Sequence, residues 1–265
     1  AHIGVIKWLE DNGYVIKSIA GCSIGSLIGG VYASGNLDHL EKWMCNITKS
    51  DIVGLLDISW NGSGLFKGDK IINTLIDLLG EVQIEDLDVL IFDIQDVGVR
   101  FYTHISTLHY VMKACAENNI PLIVLDRPNP NINYVDGPVL ELVNKSFVGM
   151  HKVPIVYGMT IGEYAKMIIG EKWIEKKCSL TIIEMLNYNR QKIYDLPIKP
   201  SPNLPNKRAI NLYPSLCLFE RTTISIGRGT EYPFQHFGAP FLKNDYSFTP
   251  KSGPGSKYPK HENKT

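Results

Sequence analysis

The amino-acid sequence predicts an α/β fold of Rossmann-like type, with a mostly parallel sheet, flanking helices and an irregular C-terminal tail. Short apolar runs at 89–94 and 122–125 have the composition of buried parallel strands. The segment between them, about 102–118, has helical periodicity, so the three segments form a βαβ unit. The earlier part of the chain also alternates helix and strand, which favours the same fold class.

The elements before this unit are predicted from periodicity and from turn residues. Residues 1–12 are predicted to form an amphipathic helix that ends at a Gly13 cap, and 14–20 to form a strand. A turn at 21–25 follows. Further helices are predicted from this turn to about residue 34, at 37–48 and at 70–79.

The elements after the unit are predicted in the same way. A helix is expected from Thr160 to about residue 169, and Glu163 has the spacing of a capping box, which favours a structural part for its carboxylate. A strand is expected at 180–184. The chain then becomes rich in Pro, Asn and Gly, and 243–265 is predicted to be a loose tail.

Composition and charge limit the classes of partner. The 27 Lys and Arg residues balance 27 Asp and Glu residues, so no basic field attracts nucleic acid, and a neutral or sugar-like ligand fits better. The apolar stretches are too short and too Gly-rich for a transmembrane segment. Five cysteines without a C-x-x-C pair and seven histidines without H-E-x-x-H predict no metal, and no cofactor is expected.

A nucleophile-elbow pattern lies between the predicted strand at 14–20 and the helix that follows. The sequence G-C-S-I-G at 21–25 matches G-x-S-x-G, which holds a serine hydroxyl exposed on a strained strand-to-helix turn. Ser23 would then be a catalytic nucleophile. Serine is also a good helix N-cap, and the pattern alone leaves both interpretations open.

The sequence around Ser23 adds a resemblance to a known family. The segments that carry it are AHIGVIKWLE at 1–10, GCSIGS at 21–26, GVYASG at 30–35 and GLFKG at 64–68. On these segments, 1–87 resembles the N-terminal part of a bacterial patatin-like phospholipase. The resemblance implies that Ser23 is the nucleophile of a Ser-Asp dyad that hydrolyses lipid acyl esters.

Polar side chains follow the two apolar runs of the βαβ unit. Asp93, Gln95 and Asp96 come after the apolar residues 89–92 of the first run, and Asp126 with Arg127 after the second run. The carboxyl ends of parallel strands line the ligand crevice of an open sheet, so both groups are expected at the same edge. Paired carboxylates can act as acid and base on a glycoside. Alternatively, Asp126 pairs only locally with Arg127, and Asp96 only closes a turn.

A second resemblance covers these polar residues. It is carried by DVLIFDIQDVGVRFYT at 88–103, LDRPNP at 125–130, DGPVL at 136–140, SFVG at 146–149, GMTIGE at 158–163, YPSLCLFE at 213–220, GRGT at 227–230 and FGAP at 237–240. On these motifs, 88–265 resembles the NamZ family, formerly the domain of unknown function DUF1343. The resemblance implies an exo-β-N-acetylmuramidase that removes MurNAc from peptidoglycan fragments or small glycosides. It implies catalytic Asp93 and Asp96 and substrate contacts from Gln95, Arg100, Tyr102, Arg127 and Asn129.

The two resemblances predict a chimera-like hydrolase. Its expected parts are a patatin-like segment at 1–87, a NamZ-like Rossmann-type domain at 88–240, and the start of an auxiliary domain or a loose tail at 241–265. Muramidase activity is the leading hypothesis, lipid acyl hydrolysis is the alternative, and a catalytically inactive fusion is the third. A periplasmic or secreted location would follow from the NamZ resemblance and a cytoplasmic one from the patatin resemblance, and the first residues lack a secretion-signal pattern.

Overall fold

The computed structural model divides into two compact units, Ala1–Asp93 and Ile94–Thr265. The structure describes residues 2–16, 24–33, 35–48, 73, 87–191, 194–243, 245–253 and 255–265. The domain boundaries predicted after residues 87 and 240 stay predictions.

The first unit contains three described helices that share an apolar core. They are α1 (His2–Asp11), α2 (Ile24–Ala33) and α3 (Leu37–Asn46). The core consists of Ile3, Ile28, Val31, Leu37 and Leu40. The predicted cap of α1 is confirmed, because Gly13 has a φ of +79° and the Tyr14 N–H donates to the Leu9 carbonyl at 2.9 Å.

Several predicted elements of this unit lie mainly outside the described residues. Residues 14–16 belong to no strand, and 17–20 are not described. The turn with Ser23 is also outside the described residues. So is the helix predicted at 70–79, apart from residue 73, which is helical.

A parallel sheet with helices between its strands confirms the predicted fold class. The strands are β1 (Leu90–Phe92), β2 (Leu122–Leu125) and β3 (Leu180–Ile183), in the order β1-β2-β3. Strands β2 and β3 pair in parallel, with Leu122 opposite Leu180. Helices α4 (His104–Asn118) and α5 (Ile161–Gly170) connect successive strands. This alternation is the βαβ arrangement that the apolar runs predicted.

The capping box at the start of α5 is confirmed. The Thr160 hydroxyl accepts from the Glu163 N–H at 3.2 Å, and the Glu163 carboxylate accepts from the Thr160 N–H at 2.9 Å. Both bonds satisfy donors that a helix start leaves unpaired. Glu163 therefore has the structural role, capping the helix, that its spacing from Thr160 indicated.

A further helix, α6 (Lys207–Leu216), was not predicted. It contains Pro214 in its last turn, and proline has no N–H to give to the carbonyl four residues earlier, that of Ile210. The Asn131 side-chain amide donates to this carbonyl instead, at 3.4 Å. A tertiary contact thus replaces the missing helical bond.

The second unit is organised around a buried cluster. Its members include Val97, Val99, Val156, Ile210, Tyr213 and Phe234. The described part of 243–265 is irregular, as predicted, but it is attached to the rest of the unit. The Lys260 ammonium donates to the carbonyls of Glu220 at 2.6 Å and Phe219 at 3.3 Å.

Candidate active site

The loop between β1 and α4 carries a buried carboxylate, that of Asp96. This side chain is 5% exposed. Its Oδ2 accepts hydrogen bonds from the Gly98 N–H at 2.6 Å and from the Tyr157 hydroxyl. Its Oδ1 is buried and has no hydrogen-bond partner among the described residues. A half-satisfied buried carboxylate of this kind requires a physical explanation.

Tyr157 reaches Asp96 because its own segment pairs with the loop after β1. Val156 forms an antiparallel bridge with Val99, and the Arg100 N–H donates to the Ile155 carbonyl at 2.8 Å. The Tyr157 ring also packs edge-on against Tyr164, with the ring centroids 4.9 Å apart. These contacts fix the phenol beside the carboxylate.

Burial dominates the electrostatics of this pair. It raises the pKa of Asp96, although the Tyr157 hydroxyl, the charge of His104 and the backbone N–H groups of Gly98 and Val97 each act to lower it. Burial and the Asp96 charge raise the pKa of Tyr157 well above its ordinary value, so the phenol stays protonated and donates. The site therefore combines a neutral phenol with a carboxyl group whose pKa lies above its ordinary value.

His104 is the partly exposed neighbour of Asp96. Its side chain is 29% exposed, and its Nδ1 lies 4.0 Å from Asp96 Oδ1. The same Nδ1 lies 3.1 Å from the Gln95 carbonyl oxygen. A carbonyl can only accept, so Nδ1 donates to it, and in the neutral tautomer that makes this bond Nε2 is the nitrogen without a proton.

Four of the predicted substrate-contacting residues have side-chain donors that already bind backbone carbonyls. The Gln95 amide donates to Asp96 and Pro128 at 2.8 and 2.7 Å, and the Arg100 guanidinium to Pro138 at 3.0 Å and to Val153. The Tyr102 hydroxyl donates to Pro200 at 3.0 Å, and the Asn129 amide to Met159 at 2.8 Å. These bonds hold the loop after β1 against neighbouring segments.

Three strand-end residues remain. Asp126 caps a helix, and Asp93 and Arg127 occupy half-buried positions. Asp126 accepts from the Gly162 N–H and the Thr160 hydroxyl, both at 2.8 Å, and from the Arg127 N–H at 3.0 Å. It thereby stabilises the start of α5. Asp93 and the Arg127 side chain are both half-buried.

The second unit also contains a buried row of three hydrogen-bonded side chains, His109, His151 and Tyr164, which we call the buried imidazole chain. His151 Nε2 lies 3.0 Å from His109 Nδ1, and His151 Nδ1 lies 3.0 Å from the Tyr164 hydroxyl. The Trp173 ring stacks on His151 at 4.2 Å. Burial and the charge of His109 lower the pKa of His151 to about 3, so this ring is neutral at ordinary pH.

The sequence did not predict Tyr157 or the buried imidazole chain. Tyr157 meets Asp96 across 61 positions of sequence, and His151 meets His109 across 42. Local spacing contains no information about such contacts. The motifs gave only a weak signal, since Tyr157 directly precedes GMTIGE at 158–163.

A cavity of about 800 Å³ lies in the C-terminal part of the second unit. Its lining includes Leu212, Leu216, Ser225, His236, Tyr246 and Phe248, and it contains none of the predicted site residues. Both ring nitrogens of His236 lie within hydrogen-bonding distance of hydroxyl groups, those of Thr230 and Tyr246, at 3.0 Å each.

Glu220, which lies in one of the matching motifs, forms an ion pair with Arg228 at 2.5 Å.

Two further observations concern metals and membranes. Within the described part of the chain, no three His, Cys, Asp or Glu side chains converge as a metal site would require. None of the described helices combines the length and the apolar character that crossing a bilayer requires.

Comparison with family models assigns both parts of the chain. The N-terminal and C-terminal models of the exo-β-N-acetylmuramidase NamZ match 79–208 and 211–264. The patatin-like phospholipase model matches 1–141 and thus overlaps the first NamZ match. The patatin-like match covers more than half of the chain, so the chain belongs to that family, and its part from residue 79 onward is similar to NamZ. The predicted chimera of a patatin-like and a NamZ-like part is confirmed, and the polar residues at 93–104 lie at positions that both matches cover.

Individual relatives agree with this division. The peptidoglycan β-N-acetylmuramidase NamZ of Bacillus subtilis is 47% identical over 166 residues, which is 61% of this chain. An uncharacterized NTE family protein of Mycobacterium bovis is 43% identical over 89 residues, 34% of this chain. A crystal structure of a DUF1343 family protein from Bacteroides fragilis has 54% identity and a TM-score of 0.66 over 67% of this chain.

The chain spans only part of each of these proteins. It covers 40% of the B. subtilis NamZ, 25% of the M. bovis protein and 51% of the B. fragilis chain.

Proposed function

We propose that this chain is a glycoside hydrolase of exo-β-N-acetylmuramidase type, which cleaves MurNAc glycosides derived from peptidoglycan. The observation that carries the proposal is the match, in order, of both NamZ models to 79–208 and 211–264. The buried polar cluster around Asp96 lies inside the first match. The B. subtilis relative, whose name specifies this activity, supports the same substrate class.

The proposed roles follow from burial and hydrogen bonding. Asp93 and Asp96 are the proposed carboxylates, because both follow β1 within the first NamZ match and glycoside hydrolysis commonly depends on a carboxylate pair. Gln95, Arg100, Tyr102 and Asn129 bind backbone carbonyls, so their proposed part is to fix the loop that faces the sugar. Arg127 is the proposed direct contact with the substrate.

The test is hydrolysis of a chromogenic β-MurNAc glycoside by the purified chain. We expect cleavage by the wild type and a loss of at least about 100-fold in kcat for Asp93→Asn and Asp96→Asn. Asp195→Asn is the matched control, because Asp195 is exposed and pairs only with Lys207 among the described cations. Absence of cleavage by a folded wild-type chain would refute the proposal, and equal rates in all three variants would refute the roles.

Lipid acyl hydrolysis is the second candidate, and the patatin match at 1–141 favours it. Under this candidate, Ser23 is the nucleophile. We would expect cleavage of a p-nitrophenyl acyl ester that is lost in Ser23→Ala and retained in Ser252→Ala. A folded chain that cleaves neither the glycoside nor the ester would instead be an inactive fusion.

A further inference from the structure

The loop that carries Asp96 ends in a strained residue directly before His104. Thr103 has a φ of 58°, which a β-branched residue rarely adopts. Its carbonyl accepts from the N–H groups of Ser106 and Thr107, both at 3.0 Å, so the strain is maintained by the start of α4. Such strain often accompanies functional sites, where the surrounding structure imposes it. Here it sets the position of His104 as the first residue of the helix.

The tautomer and the environment of His104 are both defined. The Gln95 carbonyl holds the proton on Nδ1, which leaves Nε2 with its lone pair. Among the described residues, no hydrogen bond to Nε2 is present. Within the described part of the chain, the titratable groups that face the ring include Asp96, with Oδ1 4.0 Å from Nδ1, and Tyr102, whose ring centroid lies 4.7 Å away.

Asp96 and His104 have complementary positions. Asp96 is buried and is anchored through Oδ2 by Tyr157 and Gly98, so its Oδ1 faces His104 without a hydrogen-bond partner of its own. His104 is partly exposed. A buried carboxylate behind an accessible imidazole stabilises the ring when it gains a proton, as in other hydrolase sites that pair these groups.

We propose that His104 is a catalytic base of this site and that Asp96 is its positioning residue. This inference rests on the proposed muramidase function. Nε2 accepts a proton from the attacking water as the water oxygen bonds to the anomeric carbon. The glycosidic C–O bond breaks, the leaving oxygen takes a proton from solvent, and the imidazolium returns its proton to solvent. One water molecule is consumed and the protein is unchanged.

The kinetic test uses the β-MurNAc glycoside and the full chain. We expect His104→Ala to lower kcat by at least about 100-fold with KM within about threefold, and added imidazole to restore part of the rate. His104→Gln, whose amide can keep the bond to the Gln95 carbonyl, replaces it if the alanine variant does not fold. His39→Ala, on the exposed side of α3, is the matched control and should equal the wild type. A His104 variant within threefold of the wild type would overturn the inference.

The test of Asp96 must distinguish a positioning role from a purely structural one. In Asp96→Asn, kcat should fall while KM stays within about threefold of the wild type, because the imidazolium formed in the transition state loses the carboxylate behind it. An unchanged kcat would contradict the positioning role of Asp96.

A separate measurement distinguishes failure of the inference from failure of the proposed function. Long-range ¹H–¹⁵N NMR of the full chain should show His104 protonated at Nδ1, and added MurNAc should shift its ring signals. If the wild type cleaved no glycoside, these results would still support the placement of His104 at a sugar-binding site, and only its catalytic role would fail together with the proposed hydrolysis. An Nε2-protonated ring, or ring signals that saturating MurNAc leaves unchanged, would overturn it.

Discussion

At the scale of single residues, the contact between Tyr157 and Asp96 is the clearest energetic feature of the site. Both side chains are buried, at 3% and 5% exposure, and the phenol is one of two donors to Asp96 Oδ2. Removing one hydrogen-bond donor from a buried charged group leaves its acceptor oxygen with fewer hydrogen bonds and no water to replace them. The loss is larger than the net value of an ordinary hydrogen bond.

Tyr157→Phe tests this contact. We expect the free energy of unfolding at pH 7 to fall by about 1 to 3 kcal/mol, measured by urea denaturation. Tyr110→Phe is the matched control, because Tyr110 is 53% exposed, and it should change the value by less than about 0.5 kcal/mol. Equal effects of the two variants would contradict the prediction.

The destabilisation caused by Tyr157→Phe should also depend on pH. The folded-state pKa of Asp96 is raised above its ordinary 3.8, so the folded chain loses stability as pH rises through that raised value. The Tyr157 hydroxyl lowers this pKa, and its removal raises it further. The destabilisation by Tyr157→Phe should therefore be larger at pH 7 than at pH 3, where the carboxyl is protonated in both proteins.

At the scale of elements, the turn at Gly98 holds the loop after β1 in place. Gly98 has a φ of +74°, and a Cβ built there would lie 2.1 Å from Asn129 Oδ1. Asn129 cannot move away easily, because it is 3% exposed and bonded to Met159 and Asn131. Any side chain at position 98 therefore displaces buried structure.

Gly98→Ala should reduce the free energy of unfolding by about 3 kcal/mol, since it adds backbone strain to a steric clash. The same substitution at Gly170, the exposed last residue of α5, meets nothing within 4 Å and should be neutral or slightly stabilising. Thermal and urea denaturation of both variants would measure the difference. A tolerated alanine at position 98 would show that the loop can rearrange.

The start of α6 gives a second test at this scale. The Asn206 side chain accepts from the Ala209 N–H at 3.0 Å, which is an N-cap bond. Asn206→Ala should cost about 1 kcal/mol in urea denaturation, while Asn206→Asp keeps the accepting oxygen and should stay within about 0.5 kcal/mol of the wild type. If both variants lost the same amount, the cap would not be the source of the effect.

Helices and strands could be predicted from the sequence where a local pattern of residues was sufficient to specify them. Strand β2 was predicted at its observed bounds, 122–125, because four apolar residues between turn signals favour a buried strand. Helix α6 was missed because Pro214 and the surrounding polar residues indicated irregular structure. What permits the helix is the Asn131 amide, which comes from far away in sequence and bonds the Ile210 carbonyl. Periodicity cannot detect such a partner.

At the scale of the whole molecule, the sequence predicted the families and the edge of the sheet, but not how the site is assembled. Asp96 was found because polar residues at strand ends meet in parallel sheets. Its partner Tyr157, the accessible ring of His104 and the buried imidazole chain depend on tertiary contacts. For Asn129, the motif predicted a substrate contact, which stays a prediction, but not its bonds to Met159 and Asn131 or its position against Gly98.

The buried imidazole chain predicts acid sensitivity of the whole molecule. The pKa of His151 is lowered from 6.5 to about 3 in the folded state, mainly by burial, and the pKa of His109 is lowered for the same first reason. Between pH 6.5 and about 3, His151 binds more protons in the unfolded chain than in the folded chain. The stability from the neutral rings is therefore complete above pH 6.5 and is lost as pH falls toward 3.

The loss attributable to His151 should be on the order of 4 kcal/mol, because each pKa unit corresponds to about 1.4 kcal/mol. Urea midpoints between pH 7 and 3, followed by the fluorescence of Trp173, which stacks on His151, would measure it. His151→Phe cannot bind the proton and should flatten this part of the pH dependence, even if it lowers stability at pH 7. Asp96 acts in the opposite direction, since its protonation stabilises the folded state at acid pH. An unchanged pH slope in His151→Phe would therefore show that other groups cause the acid sensitivity.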